Sequence, residues 1–158
     1  MPKRGRVRKK VGCGVSSDPV VTARASIDVL PAFAAVAAGA SCGAWLRWGL
    51  SSWLNPLTQP VPLGTLTANL VGGYLIGVAM ALLAQQPQWP AEVRLFVVTG
   101  FLGGLTTFST FSAEVVTLLL QGRYLWGVGT ALLHLLGSLF MTVLGLWSAG
   151  GLRALSQH

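Results

Sequence analysis

The chain has 158 residues, of which 53% are apolar and only 9% charged, with a formal net charge of +7 and a mean hydropathy of +0.64. A soluble domain of this length carries nearer a quarter charged residues, so this composition excludes an ordinary water-facing surface. Seven of the eleven basic residues and two of the four acidic ones lie in the first 28 positions, leaving Arg47, Glu92, Arg94, Glu114, Arg123 and Arg153 as the charges of the remainder.

The opening MPKRGRVRKK holds six of the basic residues. Because the others are scattered through apolar stretches, the charge reads as a basic tail that biases membrane topology and not as a nucleic-acid surface. Residues 1–28 are expected to form a disordered tail, residues 29–152 a single membrane domain, and residues 153–158 a short C-terminal tail. Cys13 and Cys42 form neither metal-ligand spacing nor a disulfide framework.

A helix crossing a hydrocarbon core of about 30 Å needs about 20 apolar residues, and the body has four such segments. The first, residues 30–54, ends at a turn marked by Asn55, Pro56, Gln59, Pro60 and Pro62. The second, residues 63–84, carries no charge and spans about 33 Å as a helix. Gln85, Gln86, Pro87 and Pro90 make the next turn. The third, residues 92–120, is interrupted by GFLGGLTTFSTFS, and the fourth covers residues 124–148. The expected fold is therefore an all-α membrane protein of four transmembrane helices.

Four crossings place both chain ends on one side. Outside the tail, Arg94 and Arg153 then face one side, and Arg47 and Arg123 the other. A body without a positive-inside bias can insert in either orientation, although the basic tail favours one. Gly39 and Gly43, Gly73 and Gly77, and Gly100 and Gly104 are spaced for close helix contact, which favours an oligomer over a chain too small to enclose a solute path alone.

The third segment carries the clearest chemistry. Three glycines and five hydroxyls between Gly100 and Ser112 predict an unwound stretch near residues 103–106. Its freed carbonyls need protein, water or a cation as partners, since hydrocarbon offers none. Phe108 and Phe111 share a helical face, and their ring edges carry positive quadrupole that an anion can approach. Asn69, with Thr65 one turn earlier, puts an amide donor inside the second helix. His134, Ser138 and Thr142 recur every four residues and form a polar stripe of about 12 Å along the fourth helix. Arg47 and Glu114 are the charges placed well inside spans, where pairing, hydration or snorkelling is required. No nucleophile with a matched acid and base, no metal-ligand cluster and no phosphate loop is present, so enzyme chemistry is not expected.

GAWLRW at 43–48, GTLTANLVGGYLIG at 64–77 and GFLGGLTTFSTFSAE at 100–114 together resemble the Fluc fluoride channels, also called CrcB proteins. The resemblance covers residues 31–150. It implies an antiparallel dual-topology homodimer with two fluoride pores around a central structural Na+, set in membrane lipid and passively exporting cytoplasmic fluoride. Localisation would be the cell membrane, the inner one in a Gram-negative source. It further implies that Gly103 and Thr106 offer backbone carbonyls to the sodium, and that Phe108, Phe111, Asn69 and Thr110 line the fluoride path. His134, Ser138 and Thr142 would continue that path, with Arg47, Thr65 and Glu114 in the vestibule or in support. A small four-helix multidrug exporter is the rival reading. It requires a carboxylate in the first helix, and residues 30–54 contain none.

Overall fold

The computed structural model describes the backbone of residues 19–55 and 62–151, and side chains from residue 29 onward. Of the expected disordered tail at 1–28, residues 1–18 lie outside the described residues, as do the expected C-terminal tail at 153–158 and Pro56, Gln59 and Pro60 of the first turn; residues 19–28 are helical and continue into the first span. Helix α1 is Pro19–Leu54 and contains Pro31. Helix α2 is Leu63–Gln85. The third span is composite: α3 (Ala91–Arg94), a π-helical stretch Leu95–Leu102, α4 (Gly103–Leu105), two extended residues, and α5 (Phe108–Leu120). Helix α6 is Tyr124–Ser148. Four stretches, Val29–Leu54, Leu63–Gln85, Ala91–Leu120 and Tyr124–Ser148, are long and apolar enough to cross a membrane.

The break falls at Thr106 and Thr107, at the far edge of the glycine-rich stretch. Thr106 has φ −82° and ψ 155°, and Thr107 has φ −149° and ψ 121°. Leu102 O accepts both the Thr106 N–H at 3.0 Å and the Thr106 hydroxyl at 2.9 Å, which ends the first half of the span. The Thr107 hydroxyl then accepts the Thr110 N–H at 3.2 Å and caps α5. Gly103 and Gly104 thus stay helical. Glycine here serves approach to α1: a Cβ on Gly104 would stand 2.6 Å from Ala40 O, and one on Gly100 2.8 Å from Val36 O. Nothing in the residue pattern announces the π-helical widening.

Helices α2 and α6 pack extensively on each other, and they run parallel with a constant register. Asn69 bonds His134, a separation of 65 residues. At the same offset, Gly73 faces the Ser138 carbonyl and Gly77 the Thr142 carbonyl. Each glycine removes a Cβ that would strike opposing backbone. All three small-residue pairs expected to favour oligomerisation are therefore used inside one chain: Gly39 and Gly43 against the third span, Gly100 and Gly104 against α1, Gly73 and Gly77 against α6. The surface left over is apolar. Trp45, Trp48 and Trp53 on α1 and Leu132, Leu136 and Phe140 on α6 are exposed, as faces meeting lipid or another chain must be.

Between α5 and α6 the chain turns through Gly122, whose φ of 73° an L side chain resists. Gly122 N–H reaches Leu119 O at 3.0 Å and Arg123 N–H reaches Leu118 O at 2.9 Å, so the last carbonyls of α5 are satisfied within a three-residue connection. That short turn sets α5 antiparallel against α6.

Candidate functional site in the broken third span

Asn69 closes the break. Its Oδ1 accepts the Thr107 N–H at 2.8 Å and its Nδ2 donates to Thr107 O at 3.0 Å, so one side-chain amide pairs with the extended backbone as a neighbouring strand would. The Thr107 N–H fixes which end of the amide is oxygen. Nδ2 therefore also faces His134 Nδ1, 3.1 Å away, and Nδ1 must accept. In the neutral ring the proton then sits on Nε2, which is buried and has no partner among the described residues. Phe111 stacks on this imidazole with centroids 4.7 Å apart, and Phe108 meets Phe111 edge-on at 5.4 Å and 62°.

The same bonds account for freed carbonyls. In an unbroken helix the Thr107 N–H would go to Gly103 O, and the Thr110 N–H to Thr106 O. The first is diverted to Asn69 Oδ1 and the second to Thr107 Oγ1. Gly103 and Thr106 are the two residues that the resemblance assigns to the cation.

A cavity of about 470 Å³ opens beside the break. Asn69, Gly103, Thr106, Phe108, Phe111, His134, Ser138 and Thr142 all line it, so most of the residues singled out in the sequence converge on one space. Phe108 is 79% exposed and projects from the chain. Thr142 lines the cavity, but its hydroxyl donates back to Ser138 O at 2.9 Å, which leaves that proton engaged. Asn69 likewise has both amide directions committed, to Thr107 and to His134.

Other expected residues lie off the cavity wall. Thr110 is exposed on the first turn of α5, where its hydroxyl accepts from Thr107 Oγ1 at 3.1 Å. Thr65 Oγ1 donates to Glu114 Oε1 at 2.6 Å and ties α2 to α5, so the intramembrane carboxylate is paired with a hydroxyl. Glu114 Oε2 is buried without a partner among the described residues. Arg47 is half-buried on α1, away from the cavity lining. Two buried polar residues escaped the sequence reading, Thr107, which pairs with Asn69 across the break, and Thr130. Thr130 stands four positions before His134 on the same face, and the i, i+4 period that marked the stripe reaches it as well.

The CrcB-like protein, Camphor Resistance (CrcB) family matches residues 34–146. A fluoride-specific ion channel FluC of Thiobacillus denitrificans is 59% identical over 119 residues, covering 75% of this chain and 96% of that relative. Its counterpart in Nitrosospira multiformis is 56% identical over 129 residues, covering 82% and 98%. That of Pseudomonas putida is 56% identical over 118 residues, covering 75% and 93%.

Proposed function

Because this chain belongs to the CrcB family, a family of channels and not of enzymes, we propose that it conducts fluoride passively and selectively out of the cytoplasm. It is a multi-pass membrane protein with four helices able to span. The single observation carrying the reading is the His134 Nε2–H. This buried donor has no partner among the described residues, belongs to an imidazole that lines a cavity edged by phenylalanine rings, and is held in its tautomer by Asn69 and Thr107. Fluoride accepts hydrogen bonds and donates none, so it suits such a donor where water would leave its own protons unpaired. Cells lacking their own fluoride export should retain less internal fluoride and grow at higher external fluoride when they express this chain. Unchanged retention with the protein in the membrane would count against the reading.

The functional unit is an antiparallel homodimer with two pores. Support comes from the even split of Arg47 and Arg123 against Arg94 and Arg153, and from apolar faces too extensive for one small chain. Phe108, exposed on one copy, is placed to reach a path shared with the other. Phe108→Ile keeps an apolar side chain and removes the ring edge; fluoride efflux should fall about tenfold with dimer yield unchanged. Efflux within threefold of the parent would remove Phe108 from the path.

A structural Na+ fits the two carbonyls whose helical donors are diverted, those of Gly103 and Thr106, one set from each copy. Sodium is a hard cation suited to carbonyl oxygen, and bound there it would neutralise the carbonyl dipoles where two breaks meet. Prolonged exchange of sodium for N-methyl-D-glucamine should lower the dimer fraction in gel filtration as well as efflux. A dimer indifferent to that exchange would contradict the assignment.

A further inference from the structure

The third span and α2 lean on different neighbours. Glycine brings the π-helical stretch against α1, where a Cβ on Gly39 would stand 2.8 Å from Phe101 N, and it brings α2 against α6 at Gly73 and Gly145. Between α2 and the third span the close approach falls at the break, where a Cβ on Gly72 would strike the Thr106 side chain. Towards the turn at 86–90 the glycines of these two elements, Gly77 and Gly100, face α6 and α1 instead. A cavity of about 280 Å³ is left between them. Its wall is made by Leu75, Ala79 and Leu82 of α2, Val97 and Phe101 of the π-helical stretch, and Trp89 of the turn, and every residue lining it is apolar.

Such walls do not hold water, which needs several polar partners, so apolar matter fills the groove. Along α2 it extends from Leu75 to Leu83, about 12 Å of helix rise, against about 15 Å for one leaflet of hydrocarbon. That is the depth of an acyl chain lying along the leaflet. At the turn end, Trp89 supplies the indole favoured at a membrane interface. Arg94 stands three residues before Val97, and its guanidinium donates to Pro87 O at 3.0 Å. The remaining N–H groups carry positive charge at the level of a lipid phosphate. Glu92, two positions earlier, lies on a different side of the helix. A second copy is poorly placed to fill the groove. On α2, the cavity beside the break takes Asn69, Gly73 and Ile76, roughly a third of a turn away from Leu75, Ala79 and Leu82, and Leu102 stands in both walls.

We propose that this groove is a binding site for one anionic phospholipid, with an acyl chain lying between α2 and the π-helical stretch beneath Trp89 and the phosphate held by Arg94. Val97, Phe101 and Leu102 lead directly into Gly103, so the bound chain props the first half of the broken span on the side that α2 leaves open. The site needs only that the four spans lie in a membrane, and it stands whatever ion the protein conducts.

Bromine on an acyl chain quenches indole fluorescence on contact, so Trp89 reports on its own groove. The full-length protein is placed in phosphatidylcholine vesicles with rising fractions of brominated phosphatidylglycerol or of brominated phosphatidylcholine, and the Trp89 signal is the difference between the parent and Trp89→Phe. Half-quenching should come at an about fivefold lower fraction of the brominated phosphatidylglycerol, the preference that one cation at a membrane surface gives. Arg94→Gln should bring the two curves within about twofold of each other. Ala79→Leu fills the groove from its wall and should abolish the early quenching by both lipids; if it does not give a monodisperse protein, Val97→Phe carries the same expectation. Coincident curves in the parent, a preference that survives Arg94→Gln, or early quenching that survives filling of the groove each overturn the proposal. So does a Trp89 signal that neither lipid quenches, which would place protein, a second copy included, in the groove. Fluoride efflux is no part of the readout, so a parent that moves no fluoride removes the channel reading and leaves the lipid site standing.

Discussion

Asn69→Asp lowers fluoride efflux by at least about a hundredfold in reconstituted vesicles. Aspartate keeps the oxygen that receives the Thr107 N–H and loses both bonds that Nδ2 donates. A carboxylate oxygen then faces the Thr107 carbonyl, and His134 loses the donor that fixes its tautomer. Each buried acceptor left without its donor costs about 1–3 kcal/mol. The new negative charge adds repulsion of the permeating anion where water does not screen it. Tenfold in rate corresponds to about 1.4 kcal/mol, so these terms together exceed a hundredfold. Efflux within threefold of the parent, from a protein of normal size in gel filtration, would separate Asn69 from the path.

Gly77→Ala should act through helix packing, with no direct contact to the ion. Its Cβ would collide with the Thr142 carbonyl oxygen and stand 2.8 Å from the Leu146 nitrogen, both of them backbone atoms that cannot rotate aside. Helix α6 answers with its own glycine, because a Cβ on Gly145 would meet Tyr74 O and lie 3.0 Å from Val78 N. The crossing of α2 and α6 is therefore backbone against backbone, and one methyl must push the helices apart along the same seam that aligns Asn69 with His134. Overpacking of this kind costs about 1–3 kcal/mol or more, and the thermal midpoint should fall by about 5 °C or more with partial loss of monodisperse protein. Gly129→Ala is the control, since no atom lies within 4 Å of its added Cβ. Equal midpoints for the two variants would contradict the close crossing.

The sequence patterns made the four spans legible, because run length and charge depletion are local quantities that directly measure fitness for a bilayer. The interruption of the third span was legible for a similar reason, five hydroxyls and three glycines being poor content for a lipid-facing helix. Its position was less so. Glycine content pointed to residues 103–106, whereas the hydroxyl caps of Thr106 and Thr107 decide where helix stops and restarts. The glycine pairs carried the right meaning, close approach, without naming the partner. Sequence spacing shows that a face is smooth without showing whether the chain folds onto it or another chain docks there.

The convergence of Asn69, Phe111, His134 and Ser138 on one cavity follows the i, i+4 periods read from each helix. What no single helix reveals is the register between them. Placement of the helices turns Asn69 from a free donor into the clasp of the break and passes the free donor role to His134 Nε2. Register is a non-local property, set by glycine backbones meeting across α2 and α6, and it becomes visible once both helices are placed.

Selective movement of fluoride is the claim on which these assignments depend. Vesicles holding the purified protein, loaded with equal potassium fluoride and potassium chloride and opened to potassium by valinomycin, report it directly through fluoride- and chloride-selective electrodes. The expected result is rapid fluoride release with chloride retained until detergent is added. Equal release of both anions, or fluoride release no faster than from protein-free vesicles, would contradict it.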